Sequence, residues 1–193
     1  TEKLYQTRKD KSFRHATRTT PGVKYHSSVE MGDLFDLKKS GYFYSRLQNP
    51  TCDTVAAKIA MLEGGVAGML TGSGQAANFY AIFNIAGAGD HIVSSTAIYG
   101  GTYNLFNVTL RKLGIDFTFV SPSATEEELA AAIRPNTKAI FGETISNPSL
   151  EILDIEKFAR VAHKAGVPLI VDNTFATPIN CRPFDFGCDI VTH

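Results

Sequence analysis

The feature that most constrains this chain begins near residue 50, where short runs of consecutive apolar residues alternate with stretches of helical period. Val66 to Leu70, His91 to Ser94, Ile115 to Val120, Thr137 to Glu143, Val167 to Val171 and Asp189 to Thr192 read as strands. Between them lie helical runs from Asn49-Pro50-Thr51 to Gly64-Gly65, with an apolar face of Val55, Ile59 and Leu62. Others run from Gln75 to Ala86, from Tyr103 to Leu113, from a Thr125/Glu128 capping box through Ile133, and from an Asp154 cap through Ala165 to a stop at Gly166. Strands that are apolar on successive positions need cover on both faces, and intervening helices supply it. The expected fold is therefore α/β, a mainly parallel sheet with helices on both faces. In such a sheet ligands sit beyond the carboxyl ends of the strands.

The first 50 residues lack this rhythm. They carry Thr19-Thr20-Pro21-Gly22, scattered aromatics and basic residues at Lys3, Arg8, Lys9, Lys11, Arg14, Arg18 and Lys24. An irregular segment of that length does not belong inside a compact domain. Residues 1–50 are expected to form an arm contacting a neighbouring subunit, and residues 51–193 the α/β unit. Acidic and basic residues balance at 19 each, so no net field favours nucleic acid or an anionic membrane, and the basic arm reads as solvated. No run approaches the ~20 apolar residues that span a bilayer, and the start lacks a signal-peptide core. The three cysteines have no metal-ligand spacing and the five histidines do not cluster, which argues against a metal and for a reduced, cytoplasmic setting.

The strand ends carry the chemistry. Ser73-Gly74-Gln75 opens a helix, where free N–H groups and the helix dipole make an anion pocket. Gly72, Gly74 and Ala77 also satisfy the dinucleotide fingerprint, but that requires an acidic residue at the end of the next strand. Ser94-Ser95 stands there, so the nucleotide reading fails. Asp172 ends an apolar strand, where an unpaired carboxylate is costly. It is either a loop cap served by Asn173 and Thr174 or a carboxylate holding a pyridinium N–H. Asn147 lies in an Asn-Pro turn after another strand, and is either simply a turn residue or an amide facing a ligand. Tyr99 is either a rim residue or a ring stacked on a planar group with a hydroxyl able to move a proton. Tyr44 and Arg46 are either a surface pair or an arm that delivers a guanidinium to a neighbour's phosphate.

Together, Tyr44-Ser45-Arg46, Asn49-Pro50-Thr51, Leu62-Glu63-Gly64-Gly65, Ser73-Gly74, Tyr99-Gly100-Gly101-Thr102, Asn147-Pro148 and Val171-Asp172-Asn173-Thr174 resemble the Cys/Met-metabolism (trans-sulfuration) pyridoxal-phosphate enzymes in order and spacing. The resemblance implies a type I aminotransferase-like large domain. It implies a cofactor, pyridoxal 5'-phosphate, whose phosphate meets the N–H groups of Gly74 and Gln75. Tyr99 would stack on the ring and help proton transfer, and Asp172 would hold the ring nitrogen. Asn147 would lie near the ring hydroxyl with Thr174 close by, and Tyr44 and Arg46 would serve the phosphate of a neighbouring subunit in a homotetramer. Gly100-Gly101-Thr102-Tyr103-Asn104-Leu105-Phe106 and the stretch Phe184 to His193 are most similar to the O-acetylhomoserine sulfhydrylase branch. That branch performs γ-replacement on O-acetyl-L-homoserine with sulfide or a thiol, giving homocysteine or methionine. Methionine γ-lyase and cystathionine γ-synthase are the alternatives within the family, and a non-catalytic cofactor-binding or assembly module is the alternative outside it. In the family a Ser-x-Thr-Lys run follows the position of His193 and its lysine forms the Schiff base. The expectation is that this chain is the first part of the large domain, with the remainder of the same polypeptide as its partner.

Overall fold

A computed structural model describes residues 25–42 and 44–193. The basic residues of the arm up to Lys24 and the Thr19 to Gly22 stretch lie outside the described residues. The chain divides into two units: residues up to Ala60 together with Ala67–Leu70, and Met61–Val66 together with Thr71–His193.

In the first unit the structure departs from the expected irregularity. Ser28–Phe35 form a helix, α1, capped by Ser27, whose hydroxyl accepts from the Glu30 N–H at 3.1 Å. Its period is too short to stand out in the sequence, so capping and tertiary context carry it. Helix α2, Pro50–Glu63, starts where expected, with the Asn49 side chain accepting from the Thr51 N–H at 2.9 Å. Its buried face is not the expected one. Val55, Ile59 and Leu62 are exposed, whereas Ala56, Ala60 and Glu63 are buried. The small residues permit close approach: a Cβ on Gly68 would stand 2.8 Å from the Ala56 carbonyl oxygen. Val66 to Leu70, read as a strand, is irregular and joins no sheet among the described residues.

The second unit carries the sheet. Strands β1 (His91–Ser95), β2 (Asp116–Val120), β3 (Thr137–Glu143), β4 (Leu169–Asp172) and β5 (Ile190–Thr192) lie in the order β2-β1-β3-β4-β5, every neighbouring pair parallel. Successive residues alternate faces, so each strand feeds two cores. On one face Val93, Ile140, Leu169 and Val171 pack with Leu129 of α5 (Glu126–Ala131) and with Phe158, Val161 and Ala162 of α6 (Ile155–Lys164). On the other, Ile92, Ala139, Phe141 and Ile170 pack with Ile82 of α3 (Gly74–Phe83). Phe106 and Leu110 join that second core from the segment after α4 (Gly100–Asn104). Phe106 stacks on Phe117 at 4.9 Å between ring centroids and meets Phe141 edge-on at 4.8 Å. Both faces are thus covered by helices, as the consecutive apolar strands require.

The predicted caps are present. Thr125 and Glu128 exchange both bonds of a capping box, and Asp154 accepts from the Lys157 N–H at 3.0 Å. The run expected as one helix from Tyr103 instead starts at Gly100 and widens to a π-helical segment over Leu105–Leu110. Two short elements, α7 (Thr177–Asn180) and a 3₁₀ turn over Pro183–Phe186, give no periodic signal. None of the described helices is long and apolar enough to cross a membrane.

Candidate active site

A cavity of about 460 Å³ opens at the carboxyl ends of the strands, in the range of small-molecule sites. Its wall is assembled from the segments that follow β1, β3, β4 and β5 and from the start of α3. Ser73, Gly74 and Gln75 enter it from α3, Tyr99 from the loop after β1, and Glu143, Ile145 and Asn147 from the end of β3. Asp172, Thr174 and Phe175 come from the end of β4, and His193 follows β5.

Each wall group has a local cause. Ser73 caps α3, its hydroxyl accepting from the Ala76 N–H at 3.1 Å. The N–H groups of Gly74 and Gln75 lie in the first turn, where the helix itself provides no acceptor. A Cβ on Gly74 would stand 3.0 Å from the His193 carbonyl oxygen, so a larger residue would press that carbonyl back by a few tenths of an ångström. Tyr99 is half exposed, at 47%, and precedes α4. A Cβ on Gly101 would stand 2.5 Å from the Tyr99 ring, so the glycine is what lets the ring lie over its own helix start.

Asp172 makes the loop-cap contact with Thr174 that one reading of its sequence position gave it. Its Oδ1 accepts from the N–H of Thr174 at 3.0 Å and from the Thr174 hydroxyl. Its Oδ2 accepts from the Asn78 side chain at 2.9 Å. Those bonds hold a carboxylate that still faces the cavity. Asn78 is itself 1% exposed. It donates to Thr102 at 3.4 Å and accepts from the Thr192 hydroxyl at 2.6 Å, while Gln75 donates to Thr102 at 3.0 Å. A chain of amides and hydroxyls therefore ties the helix start, the segment after β1 and β5 to the single carboxylate of Asp172.

Glu143 is the second carboxylate of the cavity. It is 6% exposed and stands in register with Asp172 on the neighbouring strand. Burial pushes its carboxyl up to about 7, reinforced by the charge of Asp172 and opposed by main-chain N–H groups of Tyr99 and Asn147. Deeper still, the buried Glu63 Oε1 accepts from the Asn173 side chain at 2.8 Å and approaches the His193 Nε2 at 2.7 Å.

Of the residues expected from sequence, Gly74, Gln75, Tyr99, Asn147, Asp172 and Thr174 meet around this cavity. Tyr44 and Arg46 belong to the first unit, where the Arg46 guanidinium lies 5.4 Å from the centre of the Tyr44 ring. Glu143, Asn78 and Glu63 were not singled out from sequence. Glu143 obeys the same rule that exposed Asp172, a carboxylate closing an apolar strand. Asn78 was signalled only as an amide inside an otherwise apolar helix, where such residues are unfavourable without a partner. Metal-ligating clusters of three or more His, Cys, Asp or Glu are absent among the described residues.

The cavity presents a helix start whose first N–H groups could hold an anion, an aromatic ring, two carboxylates and an amide, a set that could hold a flat anionic ring compound. Comparisons with known proteins agree with that chemistry. The family described as Cys/Met metabolism PLP-dependent enzyme matches residues 4–193. An O-acetyl-L-homoserine sulfhydrylase of Corynebacterium glutamicum is 53% identical over 167 residues, which is 86% of this chain and 38% of that protein. A homocysteine synthase of Schizosaccharomyces pombe is 52% identical over 84% of this chain and 38% of its own length. A Campylobacter jejuni protein assigned as an O-acetylhomoserine (thiol)-lyase superposes with a TM-score of 0.87 at 39% identity over 91% of this chain and 43% of that one. Its structure carries an N'-pyridoxyl-lysine-5'-monophosphate residue. This chain thus spans about two fifths of the proteins it matches.

Proposed function

Because the chain belongs to the Cys/Met-metabolism family of pyridoxal-phosphate-dependent enzymes, we propose that the polypeptide carrying it catalyses γ-replacement on O-acetyl-L-homoserine. Sulfide or a thiol is the nucleophile and homocysteine or methionine the product. The observation that carries this reading is the convergence of Gly74, Gln75, Tyr99, Asn147 and Asp172 on one cavity at the carboxyl edge of the sheet. Bound there, pyridoxal phosphate supplies an electron sink for the negative charge that develops beside the substrate nitrogen.

The chain's own groups then have distinct tasks. The N–H groups of Gly74 and Gln75, at the positive end of α3, bind the phosphate. Asp172 would hold the proton on the ring nitrogen, with Asn78 and Thr174 fixing its two oxygens by hydrogen bonds. The Tyr99 ring would cover one face and exclude water, and its hydroxyl would exchange a proton with the substrate. The Asn147 amide would serve the ring hydroxyl. Tyr44 and Arg46 serve the phosphate of a neighbouring subunit, within a homotetramer built as a dimer of dimers. On this reading residues 1–50 are the intersubunit arm and 51–193 the first part of the large domain. The remainder of the polypeptide supplies the Schiff-base lysine, in the cytoplasm. The free state of Cys52, Cys181 and Cys188 suits that compartment.

The test is an assay of the full-length enzyme. O-acetyl-L-homoserine with sulfide should yield homocysteine, with little breakdown of methionine or cysteine supplied alone. Rapid breakdown of methionine alone, with no sulfide incorporation, would replace this reading with a γ-lyase.

A further inference from the structure

Glu143 accepts from two main-chain N–H groups that lie in different loops. Its Oε1 takes the N–H of Tyr99 at 2.7 Å and its Oε2 takes the N–H of Asn147 at 3.4 Å. A carboxylate is the side chain that can do this, because it offers two acceptor oxygens and no donor. A glutamine of the same shape offers one acceptor, and its NH₂ would face the second N–H. A capping role at Tyr99 alone would need neither the charge nor its location. The charge is placed where it is costly, 6% exposed and in register with Asp172. Tyr99 is the N-cap residue of α4 and its side chain makes no cap bond, so the hydrogen bond that ties the start of α4 to β3 is the one from the Tyr99 N–H to Glu143.

We infer that Glu143 is a positioning residue that sets the separation between the Tyr99 ring and the Asn147 amide across the cavity. The inference rests on the functional reading above, which gives the ring face to Tyr99 and the ring hydroxyl to Asn147. One side chain then sets both at once, so that a shift of either loop is resisted by the other. The other titratable groups lining the cavity are Tyr99, Asp172 and His193. Asp172 is the neighbour whose charge opposes that of Glu143, and the two N–H groups are what offset it.

The experiment compares wild type, Glu143→Ala and Glu143→Gln in the full-length protein. Amide hydrogen exchange of the cofactor-free protein is the first arm. Glu143→Ala should accelerate exchange at Tyr99 and Asn147 together, by about tenfold or more, with β1 and β2 unchanged, since these bonds are local. Glu143→Gln should leave one of the two segments protected. Wild-type exchange at both sites in Glu143→Ala, or loosening spread over the whole sheet, would overturn the inference. The second arm is kinetic: Glu143→Ala should lower kcat by about tenfold with KM little changed, as expected for a misplaced catalytic group. A rise in KM alone would contradict it. The exchange arm contains no cofactor, so its failure strikes the role of Glu143 alone. Absence of sulfide incorporation by the wild-type enzyme strikes the functional reading instead.

Discussion

The two edges of the sheet bury titratable groups in opposite ways. At the amino edge, His91 is 0% exposed, with its Nδ1 2.8 Å from the Thr137 hydroxyl and its Nε2 2.9 Å from that of Thr118. Burial holds its pKa below the ordinary 6.5, helped by Arg134 and Arg111 and opposed by Asp116. Both ring nitrogens are used and nothing is left over for a ligand. At the carboxyl edge, Asp172 and Glu143 are also held by hydrogen bonds, yet both line a cavity. A buried polar group with every partner inside the protein stabilises a fold. One with capacity directed into a cavity makes a site.

The largest expected effect separates the edges by function. Asp172→Ala in the full-length enzyme should lower kcat by at least ~100-fold, in the range seen when one preorganised electrostatic group is removed. His91→Gln should keep turnover within about threefold of wild type, because no reacting group lies near it. Steady-state kinetics on both variants checks this, and equal losses would dissolve the contrast. Next in size is Asn78→Ala. Its loss frees one oxygen of Asp172 from its amide partner and should cost about tenfold in kcat through misalignment. Asn78→Asp, which sets a second negative charge against Asp172, should be worse than alanine.

The edges should also differ in the sign of their pH dependence. The Glu143 carboxyl stands at about 7 in the fold against an ordinary 4.5, so the folded chain binds the extra proton between those values. Its contribution to stability is complete below 4.5 and is lost as pH rises to about 7, by on the order of 1–2 kcal/mol after allowance for solvent screening. His91 runs the other way. Its folded pKa is depressed, so its contribution is complete above 6.5 and is lost as pH falls below that value. Urea unfolding at several pH values should show the Glu143 slope vanish in Glu143→Gln and the His91 slope vanish in His91→Gln. Persistence of either slope in its variant would assign it to another group. The smallest effect concerns strain beside the site. Thr177 has φ of +58°, which is unfavourable for a β-branched residue, and Thr177→Gly should raise stability by about 1 kcal/mol.

The strands and Asp172 were legible in the sequence, whereas His91 and Glu143 were not, for reasons that differ by element. The five strands declare themselves because a parallel sheet covered on both faces demands consecutive apolar residues, as in Leu169-Ile170-Val171. Asp172 stood out because it interrupts such a run at its carboxyl end. Val66 to Leu70 is also an apolar run but pairs with no strand among the described residues, so apolarity alone misled. Helix α2 misled through its larger side chains, since Ala56 and Ala60 are buried where Val55 and Ile59 are not. Close approach selects small residues, which carry little hydrophobic signal. Asn78 and Glu143 could be assigned only once the fold joined Asn78 to Asp172 across 94 positions and Glu143 to Tyr99 across 44.

On the proposed function, this cavity would hold pyridoxal phosphate with Asp172 at its ring nitrogen. The most direct measurement is titration of the full-length protein with pyridoxal phosphate, following the visible absorption of bound cofactor, for wild type, Asp172→Ala and His91→Gln. Wild type and His91→Gln should bind with the same spectrum and affinity, and Asp172→Ala should bind about tenfold or more weakly with an altered spectrum. Unchanged binding and an unchanged spectrum in Asp172→Ala would contradict the account.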